Sequence, residues 1–269
     1  MPVLSHGRLE IEYSDTGDGP AVVLIHCSVS GIRQWRSLTE VLSDRYRVRA
    51  LNLYGYGETT PWPEGETQTL EAQARIVVAA CDGLGDTVSL VGHSFGGTVA
   101  LKAATLLGPR VGSMVLIEPN PVYLLAQGGR DAEFAEVRAL RDHVKHFGAL
   151  GDWEAVAARF ADYWVGDGTW SAMPEARRAA FTDLLPPNFH EWDAAMGEST
   201  TVEHLAALEC RTLVMSDPAT RRPIRAIAAI LEQACPAWTF RDIPAGGHMA
   251  PVTRPDLVNP VIREFLDAG

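Results

Sequence analysis

The chain has little that would hold a polyanion: 23 Lys and Arg stand against 34 Asp and Glu in 269 residues, a net charge of −11. Such a surface repels phosphate backbones and anionic lipid, so nucleic acid and membrane are not expected partners. Cysteine is scarce and dispersed. Cys27, Cys81, Cys210 and Cys235 form no C-x-x-C pair, which excludes a disulfide frame and a zinc site and fits reduced thiols in the cytoplasm. No apolar run approaches the roughly 20 residues of a membrane span. The opening MPVLSHGRLEIEYSDTG lacks a basic stretch followed by an apolar one, so no signal peptide is expected. Repeats, low-complexity tracts and long like-charge runs are also missing. Tyr54-Gly55-Tyr56-Gly57 is rich in glycine but lacks G-x-G-x-x-G spacing and a following acid, which argues against a dinucleotide site.

What is present is an ordinary globular balance, 46% hydrophobic and 21% charged, long enough for one large α/β domain with an insertion. Arg8–Ser14 alternates apolar and polar side chains, as a half-exposed strand does. Ala21–His26 (AVVLIH) is continuously apolar, as a strand buried on both faces is. With the turn DTGDGP between them, the two are expected to form an opening hairpin. A short helix around Trp35–Leu42, a strand at Tyr46–Leu53 and a helix over Leu70–Leu84 follow. Further strands are expected at Val111–Glu118, Arg211–Ser216 and Trp238–Ile243, with helices at Ile224–Ala234 and Asp256–Leu266. Strands alternating with helices in this way predict a parallel sheet covered on both faces. Between Pro121 and Leu208 the alternation stops. Amphipathic patterns at Phe134–Phe147 and Trp153–Trp164, a break at Pro186-Pro187 and four of the seven tryptophans mark this stretch as an inserted helical cap. The division is therefore a core of residues 1–120 and 209–269 with a cap of residues 121–208.

The centre of the chain is Val88–Ala104. An apolar strand pattern runs into Gly92-His93-Ser94-Phe95-Gly96, and a helix pattern follows. A strand turning into a helix through G-x-S-x-G is a nucleophile elbow, with Ser94 held in a strained turn at the helix N-terminus. Serine needs a base to remove its proton. His248, in the loop Ala245-Gly246-Gly247-His248-Met249 after the last strand, is the candidate. Backbone N–H groups must meet the oxyanion, and those of Phe95 and Ser28 stand in the right loops. Cys27 beside Ser28 is a small buried hydrophobe rather than a second nucleophile. Tyr54 and Tyr56 either line the pocket or pack beneath their loop. His143 and His146 stand one helical turn apart, but no acid or cysteine accompanies them, so no metal or cofactor is expected.

The segments HCSVSG, LNLYGYGET, LVGHSFGG, MVLIEPNP, RTLVMSD and AGGHMAPVTRPDLV together resemble the α/β-hydrolase superfamily along nearly the whole chain. The resemblance implies an eight-stranded, mostly parallel sheet with a cap over the active site, and a Ser-His-acid triad. It implies an esterase-like hydrolase acting on a small-molecule carboxylic ester with a small to medium apolar acyl group. The same triad also serves C–C bond, thioester or lactone hydrolysis and cofactor-free perhydrolysis, and the scaffold also serves non-catalytic ligand binding. Where the family usually carries its acid, after Arg211–Ser216, this sequence has Asp217 in a glycine slot and Thr220 in the acid slot. Glu118, at the end of the strand next to the elbow strand, is the preferred acid, with Asp217 the alternative. The oligomeric state is left open, a homo-oligomer included.

Overall fold

The structure is a computed structural model describing residues Met1–Gly269. Eight strands form one sheet: β1 (Val3–His6), β2 (Leu9–Thr16), β3 (Ala21–Ile25), β4 (Arg47–Leu51), β5 (Val88–His93), β6 (Val111–Ile117), β7 (Arg211–Ser216) and β8 (Thr239–Asp242). Their order is β1-β2-β4-β3-β5-β6-β7-β8. From β4 to β8 every pairing is parallel, and only β1 and β2 run against their neighbours. This is the expected α/β architecture. The expected hairpin of Arg8–Ser14 with Ala21–His26 is not formed. β2 pairs with β1 and with β4, while β3 lies between β4 and β5. The reason is burial: every residue of β3 is inaccessible, so it needs a strand on each side and a helical layer on each face. β1 is mostly exposed and leaves no hydrophobic periodicity to read.

Alternate side chains of the central strands feed two cores. Val23, Ile25, Leu90, Met114 and Leu116 face one, packed under α2 (Leu70–Ala80) and α3 (Phe95–Leu107) once α1 (Arg36–Leu42) has crossed to the other side. Val22, Leu24, Val91, Val115 and Leu213 face the second core, under α1 and the closing helix. Such buried aliphatics each contribute about 1.5–3 kcal/mol, and together they hold the C-terminal strand ends at a fixed height.

Between β6 and β7 the chain has helices joined by loops and no strand: α4 (Tyr123–Gln127), α5 (Asp131–Ala149), α6 (Trp153–Val165), α7 (Thr169–Ala172), α8 (Glu175–Thr182), α9 (Pro186–Met196) and α10 (Val202–Ala206). Pro186 and Pro187 open α9, where a missing N–H costs nothing. After β7 come α11 (Arg222–Ala234), then, beyond β8, α12 (Ala250–Thr253) and α13 (Pro255–Asp267). No helix is long and apolar enough to cross a membrane.

Candidate active site

The elbow is set by two glycines and one strained residue. Ser94 joins β5 to α3 at φ 52° and ψ −119°, a conformation that L-residues avoid. A Cβ on Gly92 would strike the carbonyl of Gly96, and one on Gly96 would strike the carbonyls of Ile25 and His26. Only glycine lets the strand, the turn and β3 approach so closely. The turn is pinned from below, since Ser94 N–H donates to the Ile117 carbonyl at 2.9 Å.

Ser94 Oγ lies 2.9 Å from His248 Nε2, and His248 Nδ1 lies 3.1 Å from Glu118 Oε2. Glu118 is wholly buried at the end of β6, with φ 47°. Its two oxygens also accept the Asp217 N–H at 2.7 Å and the Thr220 hydroxyl at 2.5 Å. An Nδ1–H donated to this carboxylate leaves the Nε2 lone pair facing the serine hydroxyl. Asp217 has a different occupation. Its Oδ2 accepts Gly247 N–H at 2.6 Å and its Oδ1 accepts Ala219 N–H at 2.8 Å, so it holds the backbone of the histidine loop and does not touch the imidazole. Thr220, in the slot where the family usually carries its acid, donates its hydroxyl to Glu118.

Ser28 and Phe95 line the same cavity as Ser94 and His248. The Phe95 N–H, at the first position of α3, has no intrahelical acceptor. Either side of Ser28 the backbone is engaged: Cys27 N–H donates to Gln34 Oε1 at 3.2 Å and Val29 N–H to Tyr56 Oη at 2.9 Å. The Ser28 N–H between them has no protein acceptor. Burial pushes the Cys27 thiol up to about 12, far from thiolate chemistry. Tyr56 is buried beneath the loop and Tyr54 packs edge-on against Trp62 at 5.1 Å, so neither lines the cavity. His143 Nε2 meets the Ala155 carbonyl at 3.0 Å, and the chain has no cluster of residues able to hold a metal ion.

Four neighbours of this site were not singled out from the sequence. Gln34 Nε2 donates to His93 Nδ1 at 3.1 Å, which puts the His93 proton on Nε2, 2.7 Å from the His248 carbonyl. Burial above all holds the His93 imidazole down at about 3, so it stays neutral. Asn120 links Ser94 Oγ, 3.3 Å from its Nδ2, to the Thr98 hydroxyl, 2.9 Å from its Oδ1. Trp164 of α6 stacks on the His248 ring at 4.2 Å between centroids and 22° between planes. His93 could have been noticed as the variable residue of the elbow. Nothing in the sequence distinguishes Trp164 from other tryptophans of the inserted helices.

The cavity is bounded on one side by Ser94, His248 and the loops and on the other by α6, α8 and α9. Phe160, Phe181, Trp164 and Trp192 make its walls apolar, and no Lys or Arg borders it. Apolar walls with a few polar groups gathered at Ser94 suit a small organic molecule.

Residues 22–261 match the family model described as "Alpha/beta hydrolase family". The 2-hydroxy-6-oxo-2,4-heptadienoate hydrolase of Pseudomonas putida is 30% identical over 200 residues, covering 72% of this chain and 70% of that protein. A thermophilic esterase from Thermogutta terrifontis superposes with a TM-score of 0.74 at 26% identity, covering 97% of this chain and 94% of the other. A structure from a study of carboxylesterases of Nitrososphaera gargenis gives a TM-score of 0.79 over 99% of this chain and 98% of that one, at 18% identity, a likeness of fold.

Proposed function

The chain belongs to the alpha/beta hydrolase family, and on that premise we propose that it is a serine hydrolase cleaving carboxylic esters of small to medium, largely apolar acyl groups. The observation that carries this reading is the alignment of Ser94 Oγ, His248 and Glu118 through contacts of 2.9 and 3.1 Å. His248 Nε2 takes the Ser94 proton as Oγ bonds to the acyl carbon, and the carbonyl π electrons move onto oxygen. The N–H groups of Phe95 and Ser28 hold that oxyanion. The imidazolium, steadied by Glu118, gives its proton to the departing alcohol as the C–O bond breaks. Water then repeats the sequence on the acyl-Ser94 ester and releases the acid. Residues 121–208 act as the cap, with the undersides of α6, α8 and α9 shaping the acyl pocket. The chemistry needs no cofactor, and the esterase from Thermogutta terrifontis supports an ester as the substrate.

The test is Ser94→Ala, assayed on p-nitrophenyl esters of graded chain length. The rate is expected to fall about a thousandfold or more, with the melting temperature unchanged. Labelling of Ser94 by a fluorophosphonate separates an active hydrolase from a ligand-binding protein on this scaffold. Near-wild-type turnover by the alanine variant would refute the assignment.

The Pseudomonas putida relative favours a second reading, hydrolysis of a C–C bond beside a ketone, with the same three residues. Its named substrate is a carboxylate. The absence of Lys and Arg from the cavity wall weighs for the ester. Assaying that dienoate beside p-nitrophenyl butyrate decides between them.

A further inference from the structure

The cavity holds one carboxyl group that the ester chemistry does not use. Glu191 projects from α9 into the wall formed with Ser28 and Asn188, and only 1% of it is accessible. Its orientation is fixed within one helical turn. Asn188 Nδ2 donates to Glu191 Oε2 at 2.9 Å, and Asn188 Oδ1 accepts the Trp192 indole N–H at 3.0 Å. Glu191 Oε1 is buried and accepts no hydrogen bond. The Ser28 and Tyr56 hydroxyls lie close enough to favour the carboxylate without closing a bond on that oxygen. Burial nevertheless pushes the Glu191 carboxyl up from its ordinary range. An acid buried in this way costs the fold stability, which the Asn188 N–H and the Ser28 and Tyr56 hydroxyls offset only in part. Packing does not require it either, since an apolar residue would suit walls made of Phe160, Phe181 and Trp192.

We propose that Glu191 is a specificity-determining residue whose free Oε1 accepts a hydrogen bond from a hydroxyl or amine on the substrate. The preferred ester is then an apolar skeleton carrying one hydrogen-bond donor, not a plain alkanoate. Oε2 already takes the Asn188 N–H, so Oε1 is the acceptor left over on a side chain that lines the cavity. The group that complements an acceptor is an O–H or N–H. A carboxylate substituent fails on both counts, because it has no proton to offer Oε1 and meets no Lys or Arg. Sites that bury a polar group for a substrate donor discriminate strongly against analogues lacking it, because the protein group is then left unpaired.

The proposal rests on the serine-hydrolase reading, and the test tells the two failures apart. Ser94 labelling rates are measured with p-nitrophenyl hexylphosphonates carrying a methyl, hydroxyl, amino or carboxylate substituent at successive chain positions. The enzymes compared are wild type, Glu191→Gln and Glu191→Leu, and the corresponding hexanoate esters give kcat/KM. In the wild type the hydroxyl or amino probe, at one chain position, is expected to react about 10- to 100-fold faster than its methyl counterpart, and the carboxylate probe slowest. Which of the two leads identifies the donor. In Glu191→Gln the Asn188 contact keeps the amide oxygen, the NH2 faces the cavity, and the advantage of the amino probe disappears. The quantity compared across the variants is the ratio of donor probe to methyl probe, which cancels any general change in the reactivity of Ser94. If Ser94 reacts with no probe, the serine-hydrolase reading fails and this proposal with it. Equal rates for all substituents, a preference for the carboxylate, or a uniform loss across probes in Glu191→Gln would overturn the role of Glu191 alone.

Discussion

Replacing Glu118 by Gln changes two oxygens into one oxygen and one NH2 at a point where the structure uses both oxygens as acceptors. Oε1 receives the Asp217 N–H at 2.7 Å, and Oε2 faces both the Thr220 hydroxyl and His248 Nδ1, the latter at 3.1 Å. If the amide oxygen stays with Asp217, the NH2 points at Nδ1. The imidazole then moves its proton to Nε2 and can no longer accept one from Ser94. A wrong tautomer of this kind costs about 10⁴ in kcat, equivalent to about 5.5 kcal/mol of barrier. Asp217→Asn is the internal control. It keeps one acceptor for the Gly247 and Ala219 N–H groups and loses the other, weakening the histidine loop by about 1.5–3 kcal/mol. Its kcat is expected to stay within about tenfold of wild type. Both variants are assayed for p-nitrophenyl ester turnover beside thermal unfolding. If Asp217→Asn falls by orders of magnitude while Glu118→Gln does not, the acid is Asp217 and this reasoning is wrong.

Burial holds His93 down at about 3 and His26 at about 4, against 6.5 for an unconstrained imidazole. The unfolded chain therefore binds protons that the folded one refuses. The stability tied to these residues is complete above pH 6.5 and drains as pH falls toward 4, by about 1.4 kcal/mol per pH unit for each histidine. Urea midpoints at pH 7, 6 and 5 are expected to show this, with a shallower fall in His93→Gln; stability rising on acidification would refute it. Iodoacetamide at pH 8 is expected to leave activity intact, because the Cys27 thiol is buried and pushed up to about 12; modification of native Cys27 at the rate of a free thiol would contradict this. Trp164→Ala removes the ring stacked on His248 and is expected to lower kcat/KM about three- to tenfold, with Trp164→Phe recovering most of it. An unchanged kcat/KM in the alanine variant would show that the stack is incidental.

Much of this architecture could be read because its causes are local. β3 announces itself through five consecutive apolar residues, and the elbow through glycines that backbone carbonyls would otherwise strike. Glu118 could be singled out because it ends the strand beside the elbow strand, and a neighbouring strand end is a short reach from the histidine loop. The order of the first strands was not legible in the same way. Which strand β2 joins depends on β3 needing partners on both sides, a property of the whole sheet. Glu191 and Trp164 were hidden for a related reason. Each sits in an ordinary amphipathic helix, and only the packing of α6 and α9 over the cavity distinguishes it from its neighbours.

The link from Gln34 through His93 to the His248 carbonyl sets a mechanical condition on the molecule. Gln34 receives the Cys27 N–H at one end of its amide and donates to His93 at the other. The loop carrying Ser28 and the loop carrying the imidazole are thus the two jaws of one caliper, and a single neutral side chain is its bar. No link in it is an ion at neutral pH, so salt does not change the opening between the jaws. The bar must be both acceptor and donor at a fixed length. Asparagine is too short, and glutamate would set a negative charge against the bare Nδ1 of His93 and call for a proton there. Position 34 lies outside the cavity wall, yet it gauges how far apart the Ser28 and His248 loops can stand.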